Sequence, residues 1–366
     1  MKAKFTILLI AVLIAVLGIL SIYSSTYQKE GHALNSIYQR QILWVILGLL
    51  LFSLTANFNY RRLWDVTYIL YALTLVLLFL VFVLGIARQG AQRWLKFAGF
   101  NFQPSEIAKL ALVIFLAKYF SRKSADEVNL LAHKFGIFRA IFLPSLAVGV
   151  PAILIMEQPD LGSAAMVIFI FIIMLFLGGV RLKYVIMFIA MIILSVPFLW
   201  QTLRDYQRDR LLVFLNPNID PLGAGYTIIQ SKIAIGSGSF FGKGFLGGTQ
   251  SQLHFLPEAH TDFIFATFTE EWGLLGSSLL LFLYFLLIYR GIQIASRTHD
   301  YFGRSLALGV SLMLGIQIFV NIAMNLGFAP VVGVPLPLMS YGGSSVLITF
   351  ISLGILANID ETRAVF

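Results

Sequence analysis

The sequence predicts an all-α, polytopic integral membrane protein with about ten transmembrane helices and one large extracytoplasmic loop between the seventh and eighth. Three observations predict it. Of the 366 residues, 59% are hydrophobic and only 12% are charged, against about 25% charged in soluble domains. Apolar stretches of the ~20 residues that cross a bilayer recur along the chain. Basic residues fall in alternate connections, as in loops that stay in the cytoplasm.

The candidate spans lie near residues 5–25, 41–58, 64–86, 105–121, 139–156, 162–179, 184–202, 263–289, 305–327 and 342–358. The first is too long for a signal-peptide core and lacks a small-residue cleavage site, so it reads as a retained span. Lys2 and Lys4 precede it, Arg61 and Arg62 follow the second, and Lys118, Arg122, Lys123, Lys134 and Arg139 surround the connection after the fourth. Arg181 and Lys183 follow the sixth span, and Arg290, Arg297 and Arg304 follow the eighth. That alternation puts both termini in the cytoplasm and the 87–104, 203–262 and 330–341 connections outside. Arg93, Trp94 and Lys96 in the first of these read as interfacial anchors.

No internal repeat or linker interrupts the chain, so 1–366 reads as one membrane domain, which weakens an inverted-repeat transporter. Cysteine is absent, which excludes disulfides, thiolate metal sites and a cysteine nucleophile. The net charge of +9 fits basic cytoplasmic loops and anionic membrane lipids better than a nucleic-acid partner.

Chemistry is expected in the 203–262 connection. It is about sixty residues long, where connections beyond ~15 residues are commonly functional. Arg204, Arg208 and Arg210 cluster with Asp205 and Asp209. They form either a charged collar at the headgroups or a guanidinium clamp for a pyrophosphate. Lys243, between Gly242 and Gly244, is a second cation for that clamp, and Gln230 and Ser231 are further polar candidates. The glycines do not have the spacing of a nucleotide-binding loop, although glycine-rich amides can cradle a phosphate.

Glu258, His260 and Asp262 end the connection. If that stretch is helical, Glu258 and Asp262 share a face, and Pro257 suits a helix start. Asp262 directly precedes Phe263-Ile264-Phe265, at the lip of the hydrocarbon. Partial desolvation there suits a general base, and an ionisable group at that depth is a functional candidate. Capping of the eighth span is the structural alternative.

Elsewhere, Gln103-Pro104-Ser105-Glu106 opens the fourth span with Lys109 one turn on, so Glu106 and Lys109 can pair. Asp160, in Gln158-Pro159-Asp160-Leu161-Gly162, serves either as a cap or in the site. Gln317, Asn321 and Asn325 form a stripe explained by interhelical hydrogen bonds or by a polar cavity. Apart from Glu106 and Lys109, the spans read as mostly free of buried charge.

These motifs resemble the SEDS family (shape, elongation, division and sporulation) over nearly the whole chain. The words that carry the resemblance are Gln103 to Lys109, Gln158 to Gly162, Gly225-Tyr226 with Gln230-Ser231, Leu256 to Phe265, and Pro337 to Ser345. Gly242 to Gln250 and Leu253 to Pro257 look more like the elongation branch, RodA, than the division branch, FtsW. The resemblance implies a ten-span peptidoglycan glycosyltransferase that polymerises lipid II outside the cytoplasmic membrane during elongation and shape maintenance; departure of the pyrophosphate from the face opposite the attack would make the reaction inverting. It also implies a class B penicillin-binding protein transpeptidase and the elongation machinery as partners. The family's essential outer-loop aspartate falls on Asp262, and its Glu–Lys pair falls on Glu106 and Lys109. The pyrophosphate roles of Arg204, Arg208, Arg210, Lys243, Gln230 and Ser231, and the supporting roles of Glu258, His260 and Asp160, are inferred from the residues. A divalent cation, Mg or Mn, is a possible cofactor with no ligands assigned. A lipid II flippase, a division-branch polymerase and a non-catalytic scaffold are the alternatives.

Overall fold

The computed structural model describes residues 3–27, 37–88, 91–97, 100–121, 141–203, 205–221, 223 and 225–363. Arg204, Lys2, Arg122, Lys123, Lys134 and Arg139, named above, lie outside the described residues. Three helices come first: α1 (Ala3–Thr26), α2 (Ile37–Asn57) and α3 (Arg61–Leu84). Strands β1 (Ile86–Arg88), β2 (Ala91–Phe97) and β3 (Phe100–Phe102) follow as an antiparallel sheet in the order β1-β2-β3. Helices α4 (Pro104–Ser121), α5 (Leu143–Glu157), α6 (Leu161–Leu177) and α7 (Leu182–Thr202) come next. Then come α8 (Asp205–Leu215), α9 (Tyr226–Ser237) and the one-turn α10 (Thr249–Gln252). Last are α11 (Ile264–Arg297), α12 (Tyr301–Leu326) and α13 (Gly343–Arg363).

Among the described residues, each apolar segment expected to span is helical over most of its length, and α11 and α13 run several residues further than the apolar pattern indicated. Among the described residues, six helices are long and apolar enough to cross a membrane: α1, α2, α3, α11, α12 and α13. Apolar stretches in α5, α6 and α7 are shorter, and α4 carries Glu106, Lys109 and Lys118.

Two connections differ from expectation. The 87–104 loop holds the small sheet, whose strand β2 lacks the clean alternation that marks a strand in sequence. The 203–262 connection folds into α8, a 3₁₀ turn (Pro217–Ile219), α9 and α10, so its glycines and prolines separate short helices rather than build one long loop.

The chain forms two compact units. The first comprises Met1–Phe52, Arg204–Arg290 and Leu314–Leu353, and the second Ser53–Leu203, Gly291–Met313 and Gly354–Phe366. In the second unit, α4 packs on α3 and α6, and α5 packs on α6. Polar groups stitch these apolar faces, as in helix pairs that lack a strong hydrophobic drive. Tyr71 Oη donates to the Ala147 carbonyl at 2.6 Å, and Gln158 Nε2 to the Leu78 carbonyl at 2.8 Å. Lys118, buried, donates to the Trp64 carbonyl and lies over the Trp64 and Tyr68 rings.

In the first unit, α11 is broken. Gly273 has φ 62° and ψ −162°, a region essentially confined to glycine. A regular helix would bond Leu274 to Glu270 and Leu275 to Glu271. Instead Lys243 N and Gly244 N donate to the Glu270 and Glu271 carbonyls, each at 3.0 Å. Leu274 N and Leu275 N donate to Ser239 O and Phe240 O at 3.0 and 3.2 Å. The 239–244 segment is thus inserted into the helix ladder. A Cβ at Gly273 would lie 2.3 Å from Gly242 N, and one at Gly242 would lie 2.1 Å from Glu271 O.

Gly273→Ala is therefore expected to lower the melting temperature of the purified protein. The cost is about 1–3 kcal/mol from the backbone alone, plus the clash with a backbone that cannot swing aside. An unchanged melting curve would show that the break is not needed.

Candidate active site

Asp262 sits on a turn that ends where α11 begins. The stretch is not helical, as the shared-face expectation required: Glu258 has φ 50°, and the carbonyl of Glu258 accepts from Thr261 N and Phe263 N at 3.1 and 3.3 Å. The Glu258 side chain folds back inside the turn, where Oε2 accepts from Thr261 Oγ1 at 3.0 Å. The Phe263 carbonyl takes the first helical bond, from Thr267 N at 3.2 Å. Asp262 therefore lies one residue outside the helix N-cap, where the partial positive charge of the helix end favours an anion.

The turn is fastened from three sides. From α12, Asn321 Nδ2 and Asn325 Nδ2 both donate to the Asp262 carbonyl, at 3.1 and 3.0 Å. From the segment before α13, Ser340 Oγ donates to the Thr261 carbonyl at 2.7 Å and Tyr341 N to the His260 carbonyl at 2.9 Å. Beneath it, Leu256, Ala259 and Phe263 pack with Ala234 and Ala266 in a buried apolar cluster. The side chains of Glu258, His260 and Asp262 remain half-buried, so a clamped backbone carries side chains that solvent or substrate can reach.

The structure assigns a definite place to Lys243. Its Nζ lies 2.6 Å from Glu270 Oε1 and 2.8 Å from Thr249 Oγ1. Glu270 Oε1 also accepts from Thr249 Oγ1 at 2.9 Å. Glu270 is fully buried, so this ammonium is committed to neutralising a carboxylate. Next to it Glu271, also buried, accepts from Ser24 Oγ on α1, and Gln252 Nε2 donates to the Ser24 carbonyl at 2.8 Å.

These two glutamates correct the sequence reading that the spans hold little buried charge beyond Glu106 and Lys109. Adjacent carboxylates within the apolar 263–289 stretch were the available signal. Asn321 and Asn325 make the interhelical hydrogen bonds that their spacing on one face offered as one explanation, and the structure adds that these bonds converge on the Asp262 turn.

The remaining candidates divide. Arg210 is exposed on α8, with Nη1 3.3 Å from the Val331 carbonyl; Val331 packs against the cluster under the Asp262 turn. Arg208 pairs with exposed Asp205 at 3.9 Å, a contact of little energetic weight. Ser231 is buried, its Oγ donating to the Asn325 carbonyl at 2.8 Å, which spends its hydroxyl on helix packing. Gln230 is half-buried on α9.

In the second unit, Glu106 Oε1 and Lys109 Nζ form a buried pair at 2.7 Å within one turn of α4. Asp160 caps α6 by accepting from Ser163 N at 3.1 Å. It also accepts from Gln103 Nε2 at 3.0 Å, and Arg93 Nη1 lies 3.8 Å away. Arg93, expected as an interfacial anchor, instead ties β2 to the start of α6, donating also to the Pro159 carbonyl. Among the described residues, no three His, Asp or Glu side chains converge on a place that would hold a metal ion.

A family model described as cell cycle protein, covering FtsW, RodA and SpoVE, matches residues 4–364. The peptidoglycan glycosyltransferase MrdB of Escherichia coli (strain K12) is 43% identical over 360 residues, covering 98% of this chain and 93% of that protein. A probable peptidoglycan glycosyltransferase FtsW of Geobacter sulfurreducens is 39% identical, covering 98% of this chain and 95% of that one. Among solved structures, one described as "Structural coordination of polymerization and crosslinking by a peptidoglycan synthase complex" has a TM-score of 0.81 at 32% identity, covering 98% of each chain. The rod shape determining protein RodA of Thermus thermophilus has a TM-score of 0.70 at 29% identity, covering 98% of this chain and 96% of that one.

Lys243→Met is expected to leave the buried Glu270 carboxylate with neutral donors only, from Thr249 and Gln250, and to lower the melting temperature. Adding Glu270→Gln in the same protein should restore much of that loss. A Lys243→Met protein that melts normally would return this lysine to the set of free cations.

Proposed function

Because the chain belongs to the FtsW, RodA and SpoVE family of cell cycle proteins, we propose that it is a peptidoglycan glycosyltransferase of the elongation branch. It polymerises lipid II into glycan strands at the outer face of the cytoplasmic membrane. The observation that carries this reading is the likeness, over nearly its whole length, to an Escherichia coli peptidoglycan glycosyltransferase. Likeness to the Thermus rod-shape protein supports elongation and shape maintenance. The division branch is the second reading, favoured by the FtsW relatives, which are nearly as similar.

The protein is a multi-pass membrane protein. The alternation of basic connections supports cytoplasmic termini and an outer position for α8, α9, α10 and the Asp262 turn. A class B penicillin-binding protein is its transpeptidase partner within the elongation machinery. The support is the likeness to a synthase complex that coordinates polymerisation with crosslinking.

In the reaction, Asp262 takes the proton of the acceptor sugar hydroxyl as that oxygen attacks the donor anomeric carbon. The bond from that carbon to the pyrophosphate oxygen breaks, and the polyprenyl pyrophosphate leaves from the opposite face with the electron pair, so the centre inverts. A clamped turn suits this step, because a general base must hold hydrogen-bond reach of one proton. Arg210, exposed and hydrogen-bonded to the Val331 carbonyl, is the guanidinium that meets the leaving charge in this reading. Lys243 and Ser231 act instead by holding the fold around it. Magnesium or manganese, where it takes part, would come with the substrate pyrophosphate.

Purified protein given labelled lipid II is the test, with glycan chains as the readout. Asp262→Asn should lower polymerisation by about 10² to 10⁴-fold, the usual contribution of a general base, with folding retained. Near-normal polymer from that variant would remove Asp262 from the chemistry. Arg210→Ala should slow turnover while the protein stays folded; an unchanged rate would take it out of the clamp. In sealed vesicles, lipid that crosses the bilayer without lengthening would mark a flippase.

A further inference from the structure

We propose that Asn325, assisted by Asn321, is a positioning residue for the transfer step: its carboxamide fixes the main chain at Asp262 and caps the helix that follows. The inference rests on the reading of Asp262 as the general base.

The geometry is specific to an amide. Asn325 is fully buried on α12. Its Nδ2 donates to the Asp262 carbonyl at 3.0 Å and to the Asn321 carbonyl at 2.8 Å. Its Oδ1 accepts from Ala266 N at 3.2 Å. Ala266 is the third residue of α11, whose amide an N-cap side chain ordinarily satisfies. The N-cap here is Phe263, which has no polar side chain to offer, so Asn325 caps the helix from a different one. One side chain thus supplies the acceptor that the helix start lacks and a donor to the residue that carries the carboxylate.

Asn321 adds the second donor to the same carbonyl and spans to the Val334 carbonyl at 2.8 Å. The main chain of Asn325 is in turn held by Ser231 of α9. Helix packing alone would be served by an apolar side chain of similar volume, without the cost of burying an amide. Two buried amides converging on one carbonyl instead restrict where residue 262 can be, and a displacement of ~1 Å at a reacting group costs about 10²-fold in rate.

The test uses the full-length protein and labelled lipid II, measuring kcat, KM and the melting temperature. Asn325→Ala is expected to lower kcat by about 10²-fold and leave KM close to wild type, since binding groups are untouched. Asn321→Ala, which keeps the cap and removes one of two donors, should lower kcat by a smaller factor; it decides the matter if Asn325→Ala does not fold. With Asp262→Glu, whose carboxylate is already displaced by one methylene, Asn325→Ala should cost much less than it does alone, because coupled residues are not additive. Folded Asn325→Ala or Asn321→Ala with wild-type kcat, a loss confined to KM, or full additivity with Asp262→Glu would each overturn the proposal. Those results leave the base reading intact if Asp262→Asn is inactive, whereas an active Asp262→Asn ends that reading and this one with it.

Discussion

Main-chain polar groups in an apolar environment must be paired, and the break in α11 meets that requirement with another part of the chain. Opening a helix at Gly273 frees two carbonyls and two amides, each of which would cost several kcal/mol if left bare in hydrocarbon. The 239–244 segment supplies all four partners. It does so only because Gly242 and Gly273 lack side chains where the two backbones meet. The ion pair of Lys243 with Glu270 then closes the same joint at the side-chain level. A connection that looks in sequence like a free loop is, by its hydrogen bonds, a continuation of a transmembrane helix.

The consequence is a short, rigid piece of helix, from Ile264 to the break, held at both ends by different segments. At its N-terminal end the Asp262 turn is fastened by α12 and by the residues around Ser340. At its C-terminal end the joint with 239–244 removes the freedom that a glycine hinge would otherwise provide. A carboxylate at the head of such a piece cannot drift with the helix. Preorganisation of this kind is what a positioned base or an electrostatic stabiliser needs, because the cost of ordering is met during folding rather than during the reaction.

The helices were legible because hydrophobic length is a strong signal: among the described residues, each apolar segment is helical over most of its length. The Asp262 region was legible as a place, since an acidic cluster at the edge of an apolar run stands out, but not as a shape. Pro257 suggested a helix start, whereas Glu258 adopts a left-handed conformation and the turn is fastened by hydrogen bonds from residues 59 or more positions away. The partners of Lys243 could not be read for the same reason. Its flanking glycines pointed to close backbone approach, which is correct, yet the object approached is α11 and not a phosphate. Glu270 and Glu271 carry a sequence signal, two adjacent carboxylates inside an apolar run, but nothing local to them shows that Lys243 and Ser24 are their partners. The β-sheet escaped because seven residues with no clean alternation carry almost no strand signal.

Two lysine–glutamate pairs remain, one with a solvent-facing lysine and one buried at both ends, and they differ in what they join. Lys243 and Glu270 come from different segments, so their attraction closes a loop onto a helix and repays part of the desolvation of the buried Glu270 carboxylate as tertiary structure. Glu106 and Lys109 sit one turn apart on α4, so their contact joins nothing that the helix has not already joined. Burying such a pair still carries the desolvation cost, and hydrophobic residues of similar volume would commonly be as stable or more so. Fold stability thus accounts for the first pair and leaves the second unexplained. An ionisable pair at that depth which fold stability does not account for is a functional candidate by the same physical reasoning that singled out Asp262.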